Sequence, residues 1–470
     1  MNQDRRRFLY GSAAFIASNL RAAGGRTVRI NVDAERVLGS IPANFVGLGY
    51  EISSVARPGL LSAKNALYVQ LVRTLGTEGV IRIGGNTSDY SSFAPDGTAV
   101  SAPKGTVVNK ASLQELGTFL DATGWKLIWG LNLGTGTQED AVNEAQAVAS
   151  VARDKLLAFE IGNEPDLFGH GKAHRPAGYG FADYLQEYRR FKAAIRAKLP
   201  NAPFAGPDAA AATDWVSRFA AEEGNDSRLL THHYYRECAN PASTFEKLLY
   251  PDPKLTPQLE KLKAAAASSH VPYRICETNS FCGGGKPGVS DAFGAALWML
   301  DYMFNLASAD AAGVNIETGV NQLGFISSYS PIGDDERGAY SAKPAYYGML
   351  AFAQGSRGQR VALDHDAQGV NLSAYAVRAD QGRVWITIIN KDASVDANVV
   401  IAAKQRFSHA RAMRLMAASL QANDGVTLAG SAVDTRGVWK PTHLEPLRAS
   451  DGRCEIHVPA AAAALVVLQP

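Results

Sequence analysis

Cysteine is scarce: the 470-residue chain has four, Cys238, Cys276, Cys282 and Cys454, and no CxxC pair. That excludes a disulfide-built scaffold and the common cysteine zinc sites. Free buried thiols are the first expectation. No H-E-x-x-H segment or carboxylate–histidine ligand set is present, so no metal and no other cofactor is expected. Gly283-Gly284-Gly285 follows an apolar run but lacks the GxGxxG spacing and the later acid of a dinucleotide site. Internal repeats are absent. Net charge is also small, +2, and four of the 47 basic residues (Arg5, Arg6, Arg7, Arg21) lie in the first 23 positions. The near-neutral remainder offers no broad basic surface, which argues against nucleic acid as a partner.

Long apolar runs are missing too. The mildly apolar stretch Phe8 to Leu20 is too short to span a bilayer. It follows Arg5-Arg6-Arg7-Phe8-Leu9 and precedes small residues. This order is that of an export signal, similar to the twin-arginine kind, over residues 1–24. The expected location is periplasmic or secreted, with no membrane partner once the signal is removed.

Beyond it, short apolar runs alternate with longer amphipathic ones. The strand-like runs are 45–51, 79–85, 126–133, 156–164, 203–209, 229–235, 273–279 and 313–319. Helical periods separate them, over 64–75, 111–122, 139–152, 181–198, 257–268 and 291–307. Near-continuous apolar strands alternating with helices imply a parallel sheet covered on both faces. Eight units across 37–353 predict an α/β fold, a (β/α)8 TIM barrel. After about Ala353 the helical pattern gives way to strands, so 354–470 is predicted as a C-terminal β-sandwich domain. Residues 25–36, in which Val28, Ile30 and Val32 share one face, are predicted to join it as an N-terminal strand.

Two glutamates then matter. "AFEIGNEPDLF" carries Asn163 and Glu164 at the end of the fourth strand, and "YRICETN" delivers Glu277 on the seventh. Groups at the C-terminal ends of barrel strands share one cavity. Two carboxyl groups flanking a sugar ring are what glycoside hydrolysis needs. Like charge and partial burial are expected to raise the pKa of one of them, keeping an acid protonated.

Asn163-Glu164-Pro165 with Glu277 resembles the retaining glycosidases of clan A. "ETNSFCGGG" (277–285), "THHYY" (231–235), "RIGGNTSDY" (82–90) and "SDAFGAALWMLD" (290–301) resemble glycoside hydrolase family 79, which contains β-glucuronidases and heparanases. The likeness spans roughly 43–350. It implies Glu164 as acid/base, Glu277 as nucleophile and Asn163 as a ligand of the sugar 2-hydroxyl. It implies that Tyr234 orients Glu277, with His232 supporting that corner. It assigns the substrate carboxylate to the amides of Gly283 and Gly284 and to Tyr329, and the 3- and 4-hydroxyls to Glu51 and Asn86. Successive glycine amides can form an anion-binding nest, which suits a uronic acid beside a nucleophile. Cys282 departs from the family, which often has tyrosine there. Cys238 follows strand six and Cys282 strand seven, so a bridge between adjacent loops is the alternative to free thiols. The loop "GHGKAHR" (169–175) either faces a polar leaving group or is solvated.

The expectation is a secreted, retaining, exo-acting β-glucuronidase whose partner is a glucuronic-acid-containing glycoside or oligosaccharide, with 4-O-methyl-glucuronic acid an open variant. The alternatives are an endo-acting, heparanase-like enzyme on acidic polysaccharides, another clan A retaining glycosidase on a neutral sugar, a non-catalytic carbohydrate-binding barrel, or a metal-dependent hydrolase.

Overall fold

The structure, a computed structural model, describes residues 25–97, 105–319, 326–335 and 337–470. The export signal expected over 1–24 lies outside the described residues.

Eight parallel strands form the barrel: Val46–Glu51, Val80–Gly84, Lys126–Leu131, Leu156–Ile161, Ala205–Ala209, Leu229–Tyr235, Tyr273–Asn279 and Val314–Glu317. Counted along the chain, they pair in the order 4-3-2-1-8-7-6-5. The remaining seam, between strands four and five, is closed by one bridge from Phe159 to Phe204, with the Phe159 amide 2.9 Å from the Pro203 carbonyl. Every residue of strands two and seven is buried. That two-sided burial is why these strands read as unbroken apolar runs rather than alternating ones.

The helices begin and end where the local chemistry dictates. The Asn109 side chain accepts from the Ser112 amide at 2.9 Å and the Ser112 hydroxyl from the Asn109 amide at 3.2 Å, starting helix Lys110–Thr123. Gly124, at φ 81°, ends it. Thr137 and Asp140 cap helix Gln138–Ala152 in the same reciprocal way. Each such cap stabilises its helix by about 1 kcal/mol.

The C-terminal domain is one continuous sheet of 11 strands rather than two sheets hydrogen-bonded separately. The reason is the N-terminal strand Arg26–Ser40. It lies antiparallel to Gln359–Asp366 and parallel to Ala397–Ala403, and so joins the halves. The last strand, Ala462–Gln469, sits inside the sheet between Val384–Asn390 and His409–Met416. Side-chain alternation divides the burial. Ile386, Ile388, Ala464 and Val466 pack with Val28 and Ile30 in the sheet's own core. Ile389, Leu465 and Leu415 point the other way, into the core shared with the barrel.

Two barrel helices, Phe293–Ser308 and Pro344–Gly355, form that shared face and are buried almost all round. Phe304 stacks on Tyr375 at 4.7 Å, and the Tyr375 hydroxyl donates to Asp301 at 2.7 Å. Among the described residues no helix is long and apolar enough to cross a membrane.

Candidate active site

The floor of the barrel mouth is a single guanidinium. Arg82, on strand two, is wholly buried. It donates to Glu160 at 3.1 Å, Asp208 at 2.6 Å, Asn163 Oδ1 at 2.8 Å and Glu277 Oε2 at 2.8 Å. Burial works against its charge, but Asp208, Glu160 and Glu277 together hold it protonated. A buried charge of this kind is tolerated only because every partner is close and hydrogen-bonded. One cation thereby ties together strands two, four, five and seven.

Glu277 has a donor on each oxygen: Arg82 on Oε2 and the Tyr235 hydroxyl, 3.0 Å away, on Oε1. Both bonds fix the orientation of the side chain. Glu164 follows Gly162 (φ 83°) and itself adopts a left-handed backbone, φ 55° and ψ 52°. An acidic residue pays for that conformation, and such strain concentrates at functional positions. Its amide is held by the Asp208 carbonyl at 3.0 Å. The next acid, Asp166, accepts from the amides of Ala210, Ala211 and Ala212, each at 2.9 Å, clamping the loop after strand four to that after strand five.

His233 stands between the two glutamates. Its Nδ1 lies 3.1 Å from Glu164 Oε1 and 3.9 Å from Glu277 Oε2, and its Nε2 lies 2.7 Å from Asp208. One carboxylate oxygen from each glutamate and a ring nitrogen of His233 fall within 4.8 Å of one another. Burial opposes a charge on His233, but Asp208 and Glu277 outweigh it and hold the imidazolium well above the usual histidine range. Lys172 completes the rim. Its Nζ lies 3.2 Å from Glu164 Oε2, 3.9 Å from Asp89 and 2.7 Å from the Asn163 carbonyl.

Glu164 corrects one expectation. Burial would raise its pKa, yet the His233 hydrogen bond and the Lys172 charge pull it down to about 2. The raised carboxyls lie around it. Burial, with Glu277 beside it, raises Glu51. Burial raises Glu317 well above the usual range, with Glu277 and Glu51 adding to it. Burial pushes Asp89 and Glu160 up to about 7.

The other predicted residues divide clearly. Asn163 keeps its Nδ2 buried without a partner among the described residues, while Oδ1 is taken by Arg82. Glu51 accepts from the Asn86 amide at 3.0 Å and from the Thr87 amide and hydroxyl at 2.6 Å. Asn86 keeps an exposed side chain above it. Tyr329 stacks on Tyr235 with ring centroids 6.4 Å apart. Gly283 and Gly284 adopt φ of 74° and 87°, and their amides donate to no protein acceptor among the described residues.

Tyr234 and His232 are corrected by one position. Side chains alternate along a strand. On Leu229–Tyr235 it is His233 and Tyr235 that reach the glutamates. The Tyr234 hydroxyl donates to Asp252 at 2.9 Å and its ring stacks on Tyr302. His232 faces Gln258, on helix Leu255–Ser269. The loop 169–175 is part solvated, at His170, Gly171 and Ala173, and part built into the protein. Arg175 donates to the Leu133 and Gly134 carbonyls and to Glu187, and the His174 ring packs between Tyr90 and Phe168. Cys238 and Cys282 form a disulfide, which corrects the expectation of free thiols there, while Cys276 and Cys454 are free and buried.

Sequence reasoning missed Arg82, Glu160, Asp208, His233 and Tyr235, and left Lys172 undecided between a leaving-group contact and solvent. Arg82 carried a usable signal: an arginine inside an otherwise apolar strand must have anionic partners.

Residues 370–465 match the glycosyl hydrolase family 79 C-terminal beta domain. The chain is 28% identical over 380 residues to a β-glucuronidase of Aspergillus niger, spanning 72% of this chain and 68% of that protein. It is 26% identical over 377 residues to a β-glucuronidase of Neurospora crassa, spanning 69% of this chain and 66% of that one. Each alignment thus covers about two thirds of the relative's length. Among solved structures, a 4-O-α-L-rhamnosyl-β-D-glucuronidase from Fusarium oxysporum superposes with TM-score 0.77 at 21% identity, covering 93% of this chain and 99% of its own. A family 51 arabinofuranosidase from Xanthomonas axonopodis gives TM-score 0.67 at 14% identity, covering 94% and 100%. At those identities the superpositions establish a shared barrel-plus-sheet fold.

Proposed function

We infer that this chain is a β-glucuronidase of glycoside hydrolase family 79, acting on terminal β-linked glucuronic acid with retention of configuration. The observation that carries the chemistry is the pair Glu164 and Glu277, with carboxylate oxygens within 4.8 Å of each other across His233. Retaining glycosidases have their carboxyl groups about 5–5.5 Å apart, whereas inverting ones leave room for a water at roughly 6.5–9.5 Å. The substrate follows from the family 79 match and the two β-glucuronidase relatives.

Glu277, aligned by Arg82 and Tyr235, attacks the anomeric carbon. The bond to the leaving oxygen breaks as Glu164 gives that oxygen a proton, leaving a glycosyl ester on Glu277. Water, deprotonated by Glu164, then cleaves the ester and releases glucuronate. Glu164 and His233 act as a coupled pair that carries one proton between them. The low proton affinity of Glu164 makes it a strong acid once loaded. The unpaired Asn163 amide is the donor for the 2-hydroxyl, a bond that strengthens in the transition state. The free amides of Gly283 and Gly284, with the Tyr329 phenol, receive the substrate carboxylate. Glu51 and Asn86 take the far hydroxyls, so attack proceeds from the non-reducing end.

The enzyme is exported. The disulfide supports this, since such bonds persist in oxidising compartments. Cell fractionation with N-terminal sequencing tests it, and a protein confined to the cytoplasm with an intact Met1 would refute it.

Aryl β-glucuronide assayed against aryl β-glucoside, β-xyloside and α-arabinofuranoside tests the substrate. NMR of the first-formed sugar tests the stereochemistry. Preference for a neutral sugar would overturn the glucuronidase reading, and a first-formed α-anomer would overturn retention.

A further inference from the structure

Strands six and seven continue to pair beyond their formal ends. The Arg236 amide donates to the Ser280 carbonyl at 3.2 Å, Cys282 to Glu237 at 2.9 Å, and Ala239 to Cys282 at 3.1 Å. An isolated parallel bridge joins Cys238 to Cys282, and the disulfide locks it with the Cα atoms 4.3 Å apart. Each cysteine stands three residues past a strand end, Cys238 after Tyr235 and Cys282 after Asn279. The bridge therefore links the segment carrying the phenol on Glu277 to the segment carrying Glu277 itself.

The glycine turn after Cys282 is the part that must not move. Gly283, Gly284 and Gly285 have φ of 74°, 87° and 86°, three consecutive left-handed residues. Glycine reaches such a conformation readily, but it also leaves it readily. Beyond the bridge, the later part of the turn is held: the Gly284 carbonyl accepts from the Ser328 hydroxyl at 2.9 Å and from the Tyr329 amide at 3.4 Å, and Gly285 is buried against Ser290 and Ser328. A Cβ on Gly283 would meet nothing within 4 Å, so packing does not hold that residue. An amide nest binds an anion only if its N–H groups already converge, because ordering them on binding subtracts from affinity.

We propose that the Cys238–Cys282 disulfide is a positioning element for substrate recognition, holding the Gly283–Gly284 amides in the geometry that receives the uronate carboxylate. The bridge lies beside the site where the substrate's charge is read and away from Glu164 and the leaving group. It therefore governs ground-state binding of the acidic sugar more than bond cleavage. Cys238 is exposed, so an external dithiol can reach the bond. Reduction breaks the S–S bond with two electrons and two protons, giving two thiols and oxidising dithiothreitol to its cyclic disulfide. This inference rests on the glucuronidase reading.

The test compares the oxidised full-length enzyme with the dithiothreitol-reduced enzyme and with C238S, C282S and the double variant. KM and kcat are measured on aryl β-glucuronide, together with the inhibition constant of free glucuronate. The expected result is a KM and a glucuronate Ki both raised about tenfold, the scale of a lost hydrogen bond to a charged group, with kcat within about threefold. Reoxidation restores the wild-type KM, and dithiothreitol has no further effect on the double variant. A bridge that serves stability alone would lower the melting temperature and the active fraction while leaving KM and Ki unchanged, and that outcome overturns the proposal. If the serine variants fail to fold, reduction and reoxidation of the folded enzyme still decide it. A wild type inactive on glucuronides would refute the functional reading itself. An active wild type with bridge-independent KM refutes only this inference.

Discussion

Tyr235 and Tyr234 are neighbours in sequence and opposite in meaning. Tyr235→Phe removes one of the two donors on Glu277 and is expected to lower kcat by about 10–100-fold, as for a hydrogen bond to a charged group. Tyr234→Phe removes only the bond to Asp252 and should leave kcat near wild type. Equal losses in steady-state assays would contradict the register assigned to this strand. Lys172 offers a second test. A cation beside a carboxylate stabilises its charged form, so Lys172→Met should raise the pKa of Glu164 from about 2. The alkaline limb of the kcat/KM profile is then expected to move to higher pH. An unchanged limb would mean that Lys172 does not act on the acid/base. Glu164→Gln should cost about 10²–10⁴-fold on substrates with poor leaving groups and much less on activated aryl glucuronides, because only the former need the proton.

Strands and helices were largely legible in the sequence, and the site was legible where an element ends. "YRICETN" and "LLTHHYY" are strands over the predicted residues, because two-sided burial and bounding turn residues leave little choice of limits. What periodicity leaves open in a fully apolar strand is parity. With both faces buried, nothing in "HHYY" says which histidine and which tyrosine look inward, and the expectation slipped by one. The Cys238–Cys282 bridge was readable only as an alternative, because chain order puts the two cysteines on adjacent loops but does not say how those loops leave their strands. Lys172 was hidden by its company. Four basic residues in one short loop read equally as a leaving-group contact or a solvated surface, and it is the packing of His174 and Arg175 that turns the lysine inward. The bridge also constrains the unfolded chain. Closing a separation of 44 residues should stabilise the protein by about 4 kcal/mol in the chain-entropy account, and thermal melts of C238S/C282S measure it.

The whole molecule carries several buried acids whose proton affinity is raised. Burial pushes Glu160, Asp89 and Glu144 up to about 7. An acid raised on folding costs nothing while both states are protonated, and destabilises increasingly as pH climbs from its unfolded value toward 7. His233, held above the usual range, loses its stabilising contribution as pH rises further. Glu164 acts oppositely, with stability present above about 4.5 and lost as pH falls toward 2. The melting temperature is therefore expected to peak near pH 4–5 and to decline toward pH 7, and calorimetry across that range would reveal a flat or rising trend if the assignment fails. Barrel and sheet should melt together, because Phe304 and Tyr375 stack across their boundary. Phe304→Ala is expected to cost about 3–5 kcal/mol and to lower a single transition rather than split it.

The strand Ala462–Gln469 is paired on both sides, with Val384–Asn390 and with His409–Met416. The first described strand is equally dependent, pairing with partners more than 300 residues downstream. The chain thus leaves its sheet unfinished, makes the whole barrel, and returns to complete what it began. Removing Ala462–Gln469 would therefore take out the middle of a sheet rather than a frayed end. Such a product exposes two unpaired strand edges, a template for pairing with other chains, whereas the intact sheet leaves neither open.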